Sequence, residues 1–114
     1  MRKVNKNVIG INGVAVDTYE KTVSQDSCGL NISAGTTGFC GGGKNYGGRT
    51  FIRIGNAHGC DMLVRPLRGE AGKTSGVEIA MCGDDELLAM IEALHFAEKT
   101  LLAQVLQEGG AAHA

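Results

Sequence analysis

The residues best suited to chemistry in this chain surround a glycine-rich segment. Residues 35–48 read GTTGFCGGGKNYGG, with seven glycines in fourteen positions, and we call them the glycine loop. Because glycine adopts positive φ without a steric penalty and leaves its N–H groups uncovered, such a loop can wrap closely around a small anion. The composition therefore predicts a binding loop rather than a simple connector.

The strand expected after this loop adds two cations and an aromatic ring. In an extended chain Arg49, Phe51 and Arg53 lie on one side, while the residues between them serve the core. Guanidinium groups can bind phosphate oxygens in a forked geometry, and the ring can stack on a purine. The alternative is a solvated strand face with one exposed aromatic side chain.

The glycine loop nearly matches a phosphate-binding P-loop. Gly38 is followed after four residues by Gly43 and Lys44, but Asn45 stands where magnesium binding needs Ser or Thr. The loop therefore lacks a triphosphatase motif, although its N–H groups and Lys44 still favour an anion. A glycine-rich turn with incidental polar residues is the alternative.

Asp61 and Arg65 share one face of a predicted strand. They could form a structural ion pair, which is the more common case, or contact the ribose and phosphate of a ligand. We therefore predict a ligand-binding set formed by Thr36, Thr37, Phe39, Lys44, Asn45, Arg49, Phe51, Arg53, Asp61 and Arg65.

Cysteine and histidine spacing gives little support to a metal site or a catalytic one. No Cys-x-x-Cys pair joins the four cysteines, which are Cys28, Cys40, Cys60 and Cys82, and in a cytoplasmic protein we expect them to be reduced. Nucleophilic catalysis by Cys40 or Cys60 with His58 is an alternative that needs a third, orienting group. We expect no metal, no cofactor and no enzymatic activity.

Composition and charge predict one cytoplasmic domain. The 114 residues suffice for a single aliphatic core, which we place in residues 1–108, with a flexible tail at 109–114. The net charge of −1 argues against binding to duplex nucleic acid or membranes, and no apolar run reaches membrane-spanning length. The basic residues concentrate before position 84, together with the glycine loop.

The pattern of apolar residues predicts an α+β fold, with an antiparallel sheet packed against a long C-terminal helix. Asn12-Gly13 is typical of a type I′ hairpin turn, and further strands are expected at 28–34, 49–54, 60–65 and 76–82, with Pro66 ending the strand at 60–65. The helix should start at Asp84 and stop near Gln107, before two glycines.

Apolar residues recur along this helix at spacings of three and four. The stripe expected to face the core consists of Leu87, Met90, Ile91, Leu94, Ala97, Leu101 and Val105. Leu88, His95, Leu102 and Leu106 widen it, which predicts that part of the helix packs on another subunit.

Several of these segments resemble the first family of phage anti-Thoeris sponge proteins. The similar segments are TTGFCGG at 36–42, GGRTF at 47–51, Asp61, GDDEL at 83–87 and IEALHFA at 91–97. The family frequently has an acidic residue and a histidine where this chain has Lys44 and Tyr46. The resemblance implies a sheet followed by a C-terminal helix, assembled as dimers or trimers of dimers, that sequesters cyclic ADP-ribose isomers. Some members also hold cyclic di- or trinucleotides of the CBASS system at a separate site.

The leading hypothesis is thus a non-catalytic, homo-oligomeric binder of a cyclic nucleotide that acts against anti-phage defence in the bacterial cytoplasm. A sponge needs donors, cations and a stacking surface, and no catalytic acid or base. Two alternatives remain open. One is a small thiol hydrolase or phosphodiesterase that uses Cys40, Cys60 and His58, and the other is a protein-binding inhibitor that acts through its acidic helix.

Overall fold

The computed structural model describes residues 3–39 and 47–113. These residues form a four-stranded antiparallel sheet, a separate two-stranded sheet and one long helix, which confirms the α+β class. The elements are β1 (Asn5–Ile11), β2 (Val14–Ser24), β3 (Gly29–Thr36), β4 (Thr50–His58), β5 (Met62–Arg68), a 3-10 turn (Glu70–Gly72), β6 (Thr74–Met81) and α1 (Asp84–His113).

The main sheet is a simple meander in the order β1-β2-β3-β4. Asn12 and Gly13 have φ angles of 50° and 80°, so the predicted hairpin turn between β1 and β2 is confirmed. The strands predicted at 28–34 and 49–54 correspond to β3 and β4, although β4 continues to His58. Local turn chemistry and strand patterning were therefore sufficient to find these elements.

Helix α1 packs along β3 through a row of small side chains. Ala89, Ala93 and Ala97 are buried four residues apart. They form the core with buried side chains of β2, β3 and the turn between these strands, which are Val23, Cys28, Leu30, Ile32 and Ala34. Alanine has no side chain beyond Cβ, so this row lets the helix approach the sheet closely. The prediction that Leu87, Ile91 and Leu94 face the core is wrong, because they are 58%, 55% and 57% exposed.

The first turn of α1 is tied to two loops. The Asp85 carboxylate accepts hydrogen bonds from the Ser27 N–H at 3.0 Å and the Ser27 hydroxyl at 2.7 Å, and Glu86 accepts the Asp61 N–H at 2.9 Å. These acids also suit the positive end of the helix dipole. They fix the helix start where the sequence predicted it.

The other end of α1 extends further than predicted, to His113. The expectation that Gly109 and Gly110 end the helix is wrong. Glycine lowers helix stability by about 1 kcal/mol relative to alanine but does not prevent a helical backbone. Within the described part of the chain, no helix has both the length and the hydrophobicity needed to cross a membrane.

Strands β5 and β6 form a hairpin beside the main sheet. Pro66 pairs with Val77 inside β5, so the prediction that Pro66 ends this strand is wrong. In a two-stranded sheet both strands are edges, where proline is tolerated because its missing N–H can face solvent. Met62 and Met81 pack against the core at the base of the hairpin, while Val64 and Val77 further along are exposed.

Candidate ligand-binding cleft

A side chain of the helix contacts the sheet where β3 ends and the glycine loop begins. The side-chain amide of Gln104 on α1 accepts the Thr36 N–H at 3.0 Å and donates to the Asp17 carbonyl oxygen at 2.9 Å. The described pairing of β2 with β3 stops at Tyr19 and Ala34, just before these groups. Gln104 therefore bridges two strands of the sheet with a side chain from the helix.

The two ends of the glycine loop are joined by further hydrogen bonds. The Thr37 N–H donates to the Arg49 carbonyl oxygen at 3.0 Å, and the Arg49 N–H donates to the Thr37 hydroxyl at 2.9 Å. A Cβ atom on Gly48 would lie 1.6 Å from the Gly38 carbonyl oxygen, so the close approach of the two ends requires glycine at this position. Of the predicted site residues, Lys44 and Asn45 lie outside the described residues, as does Cys40.

Beside Gln104 lies a polar cavity of about 290 Å³, which we call the Thr36 cleft. Its lining is mostly uncharged hydrogen-bonding groups from β2, the start of the loop and α1, namely Ala15, Asp17, Tyr19, Thr36, Thr37, Gln104 and Gln107. The Asp17 carboxylate lies 3.6 Å from the Lys6 ammonium. Hydroxyl and amide groups of this kind can both donate to and accept from a polar ligand.

A smaller cavity of about 190 Å³ lies against Thr36, and both polar and apolar residues line it. Phe39, Leu101 and Val105 contribute to it together with Thr50, whose hydroxyl is 3.0 Å from that of Thr36. Phe39 is 82% exposed. Three predicted site residues, Thr36, Thr37 and Phe39, are thus brought together at one end of the sheet.

Arg49 belongs to the loop base, and its guanidinium contacts backbone oxygens. Nε donates to the Ile11 carbonyl at 3.2 Å and Nη1 donates to the Gly47 carbonyl at 3.1 Å. Through these bonds Arg49 connects the start of β4 to the end of β1. Its predicted role as a phosphate ligand stays a prediction, and its contacts in this structure hold the loop base against the sheet.

Phe51 and Arg53 share one side of β4, as predicted, with the guanidinium carbon 5.2 Å from the ring centroid. Phe51 pairs with Gly35 and Arg53 with Ser33, whereas Ile32 and Ala34, which alternate with them on β3, face the helix. Phe51 and Arg53 therefore lie on the sheet face opposite the helix and do not line the Thr36 cleft.

Asp61 and Arg65 are also remote from the cleft. Asp61 follows β4 near the start of α1, where its N–H binds Glu86, while Thr36 lies at the other end of the eight-residue β3, roughly 23 Å away along the strand. The Arg65 guanidinium forms an ion pair with Glu78 at 2.8 Å. Arg65 thus forms a cross-strand ion pair, which the sequence analysis treated as the more common case, but its partner is Glu78 and not Asp61.

The thiols of the described residues, those of Cys28, Cys60 and Cys82, lie at the other end of the sheet from the Thr36 cleft. Cys28 has no exposed surface, and its burial, with a smaller effect of the nearby Cys60 thiol, raises the pKa of the Cys28 thiol from its ordinary value of 9.0 to about 11. Cys28 is therefore protonated near neutral pH. A cysteine nucleophile has to be a thiolate, so Cys28 is not suited to that role. The Cys60 thiol donates to the Gly29 carbonyl at 3.2 Å. The described residues contain no group of three metal-ligating side chains.

Comparison with family models, curated proteins and solved structures gave no match to this chain. The case for a site therefore depends on the geometry. Sequence reasoning missed Tyr19, Gln104 and Gln107. The available signal was the pair of glutamines three residues apart, which interrupts the apolar pattern near the end of α1.

Gln104→Met is expected to lower the free energy of unfolding by about 1–3 kcal/mol, because the Thr36 N–H and the Asp17 carbonyl each lose their partner while the volume stays similar. Urea denaturation measures this change. Gln107→Met, on the same helix but exposed, is the matched control and should leave stability nearly unchanged. Equal stabilities of the two variants would contradict a bridging role for Gln104.

Proposed function

We propose that the protein is a non-catalytic, oligomeric binder that sequesters a cyclic nucleotide signal in the Thr36 cleft. The proposal is supported chiefly by one observation, that the glycine loop begins at the rim of a polar cleft lined by hydroxyl and amide groups. Cyclic ADP-ribose isomers are the first candidate ligands, and cyclic di- and trinucleotides are the second. Sequestration of such signals would antagonise bacterial anti-phage defence in the host cytoplasm.

The chemistry of the cleft suits a sugar and a base edge. Gln104 and Gln107 offer amide groups, Thr36 and Thr37 offer hydroxyls, and Tyr19 adds an aromatic ring beside them. Ribose hydroxyls and base edges require both donors and acceptors, and these side chains supply both. The phosphates then lie toward the glycine loop, whose N–H groups and Lys44 favour an anion.

Retention of the ligand without reaction is part of this proposal. Among the described residues, the lining of the cleft includes one carboxylate, that of Asp17, and no thiol or imidazole. The Asp17 carboxylate is already near Lys6. A thiol hydrolase using Cys60 and His58 would have to work at the other end of the sheet, where His58 pairs with Gly29. Cys40, the third residue of that alternative, lies outside the described residues.

The proposal includes assembly of several copies, and the outer face of α1 supports this part of it. This face, which we call the outer leucine face, is opposite the alanine row and consists of the exposed residues Leu87, Leu88, Ile91, Leu94, Leu102 and Leu106. Several large exposed apolar side chains on one side of a helix mark an interaction surface. We assign it to a second copy of the chain, as a dimer that can assemble further into a trimer of dimers.

The test is calorimetric titration with cyclic ADP-ribose isomers, followed by recovery of the ligand from heat-denatured complex. A binder releases the ligand intact, whereas an enzyme releases product. Gln107→Ala should weaken binding about 3–10-fold, the effect of one lost hydrogen bond, and Lys73→Ala on the remote β5–β6 hairpin is the control. Recovery of product would replace the proposal with a hydrolase, and no binding of any cyclic nucleotide would favour a protein-binding inhibitor.

A further inference from the structure

We propose that a second cavity, between β2 and α1, binds a small ligand that carries a phosphate group on a flat ring, such as a nucleoside monophosphate. This cavity, the Lys21 groove, has a volume of about 400 Å³ and is lined by Lys21, Glu92, His95, Phe96, Lys99 and Thr100. Its volume falls within the range of about 300–1,000 Å³ that is typical of small-molecule sites.

The position of Lys21 is the first reason for this assignment. Lys21 lies on the helix-facing side of β2, in the same row as the fully buried Val23 and opposite the fully buried Ile32. An apolar side chain would be expected there for stability alone, since bringing an ammonium group toward the core has a desolvation cost. The Lys21 ammonium lies 5.6 Å from the centroid of the Phe96 ring, and both residues line the groove.

The charges of the groove favour an anion. In the described part of the chain, the ion pairs join Lys6 to Asp17 and Arg65 to Glu78, and neither Lys21 nor Lys99 takes part in one. The acid in the lining, Glu92, accepts a hydrogen bond from the Gln25 amide at 3.2 Å. The two ammonium groups can therefore approach a phosphate, which lysine binds well as a point charge.

The remaining lining residues determine the rest of the ligand. Phe96 is half-buried and presents an aromatic surface on which a flat ring can stack. The Thr100 hydroxyl and the exposed His95 ring add hydrogen-bonding groups at the rim. A cationic pair beside one aromatic ring matches a ligand that combines phosphate and base in one small molecule.

The Lys21 groove is separate from the Thr36 cleft, because no residue lines both cavities. The inference therefore does not depend on the function proposed above. It predicts that the affinity of the Lys21 groove for its ligand does not depend on whether a cyclic nucleotide is bound in the Thr36 cleft.

The experiment is a titration of the whole chain with AMP, with adenosine and with inorganic phosphate. Calorimetry measures the affinities, and NMR of the backbone amides locates the site. AMP should bind at least about tenfold more tightly than adenosine or phosphate and should shift amides near Lys21 and Lys99. Lys21→Met and Lys99→Gln should each lower the affinity for AMP about fivefold, because each variant loses one cation. Lys73→Gln, an exposed lysine on the hairpin, should leave AMP binding unchanged.

Other results would overturn the inference. They are adenosine binding as tightly as AMP, amide shifts around Thr36 instead of Lys21, unchanged affinity in both lysine variants, or no shift at millimolar AMP. Lys99 is exposed, so Lys99→Gln tests the site even if Lys21→Met disturbs folding. Gln107→Ala in the Thr36 cleft should not change AMP affinity, which distinguishes the two cavities.

Discussion

Ala93→Asp is expected to abolish most of the stability of the fold. Ala93 has no exposed surface and lies where α1 meets β3, among Leu30, Ile32 and the other alanines of the row. An unpaired buried carboxylate costs about 3–5 kcal/mol, and a whole domain is stabilised by only about 5–15 kcal/mol. Urea denaturation followed by far-UV circular dichroism measures the loss.

The matched control is Ala103→Asp, the same substitution at an exposed alanine of the same helix. It should change the free energy of unfolding by no more than about 0.5 kcal/mol. If the variants at positions 93 and 103 unfolded at the same urea concentration, the alanine row could not be the face that packs on the sheet.

Leu94→Asp, one residue further along, is expected to have the opposite effect: the oligomer proposed above dissociates, while the protomer stays folded. Leu94 is 57% exposed and belongs to the outer leucine face. Burial of one leucine contributes about 1.5–3 kcal/mol. A symmetric dimer carries the substitution in both protomers and loses this contribution from each of them. The dissociation constant should therefore rise at least about 100-fold. Light scattering over a dilution series reports the mass.

Circular dichroism of the same samples tests whether the protomer stays folded. Ala103→Asp again serves as the control and should retain the mass of the native assembly. A native mass for Leu94→Asp would exclude Leu94 from the interface, and a monomeric native protein would overturn the oligomeric part of the proposed function.

The pair of variants at positions 93 and 94 addresses what the sequence left undecided about α1. Its apolar residues occupy two faces, one with the buried alanines and one with exposed leucines and Ile91, and hydrophobic periodicity alone favours the larger side chains for the core. The structure places the alanines inside because the helix lies close to β3. The distance between helix and sheet depends on both elements, and a short stretch of the sequence does not determine it.

The site shows the same division. Thr36, Thr37 and Phe39 were predicted from the glycine loop, which is a local signal, and they do lie together beside the Thr36 cleft. Gln104 is 68 residues away from Thr36 in the chain, so only the packing of α1 brings the two residues into contact. Arg53 was predicted to share a side with Phe51, and it does, but on the face that the helix leaves uncovered.

The sequence by itself determined the elements that depend on neighbouring residues: the Asn12-Gly13 turn, the alternating strands and the start of the helix. Tertiary structure decided which face of the sheet the helix covers, which row of the helix is buried, and which polar side chains meet at the end of β3. Backbone preferences act over a few residues, whereas the placement of a cavity depends on the contact of elements that are distant in the chain.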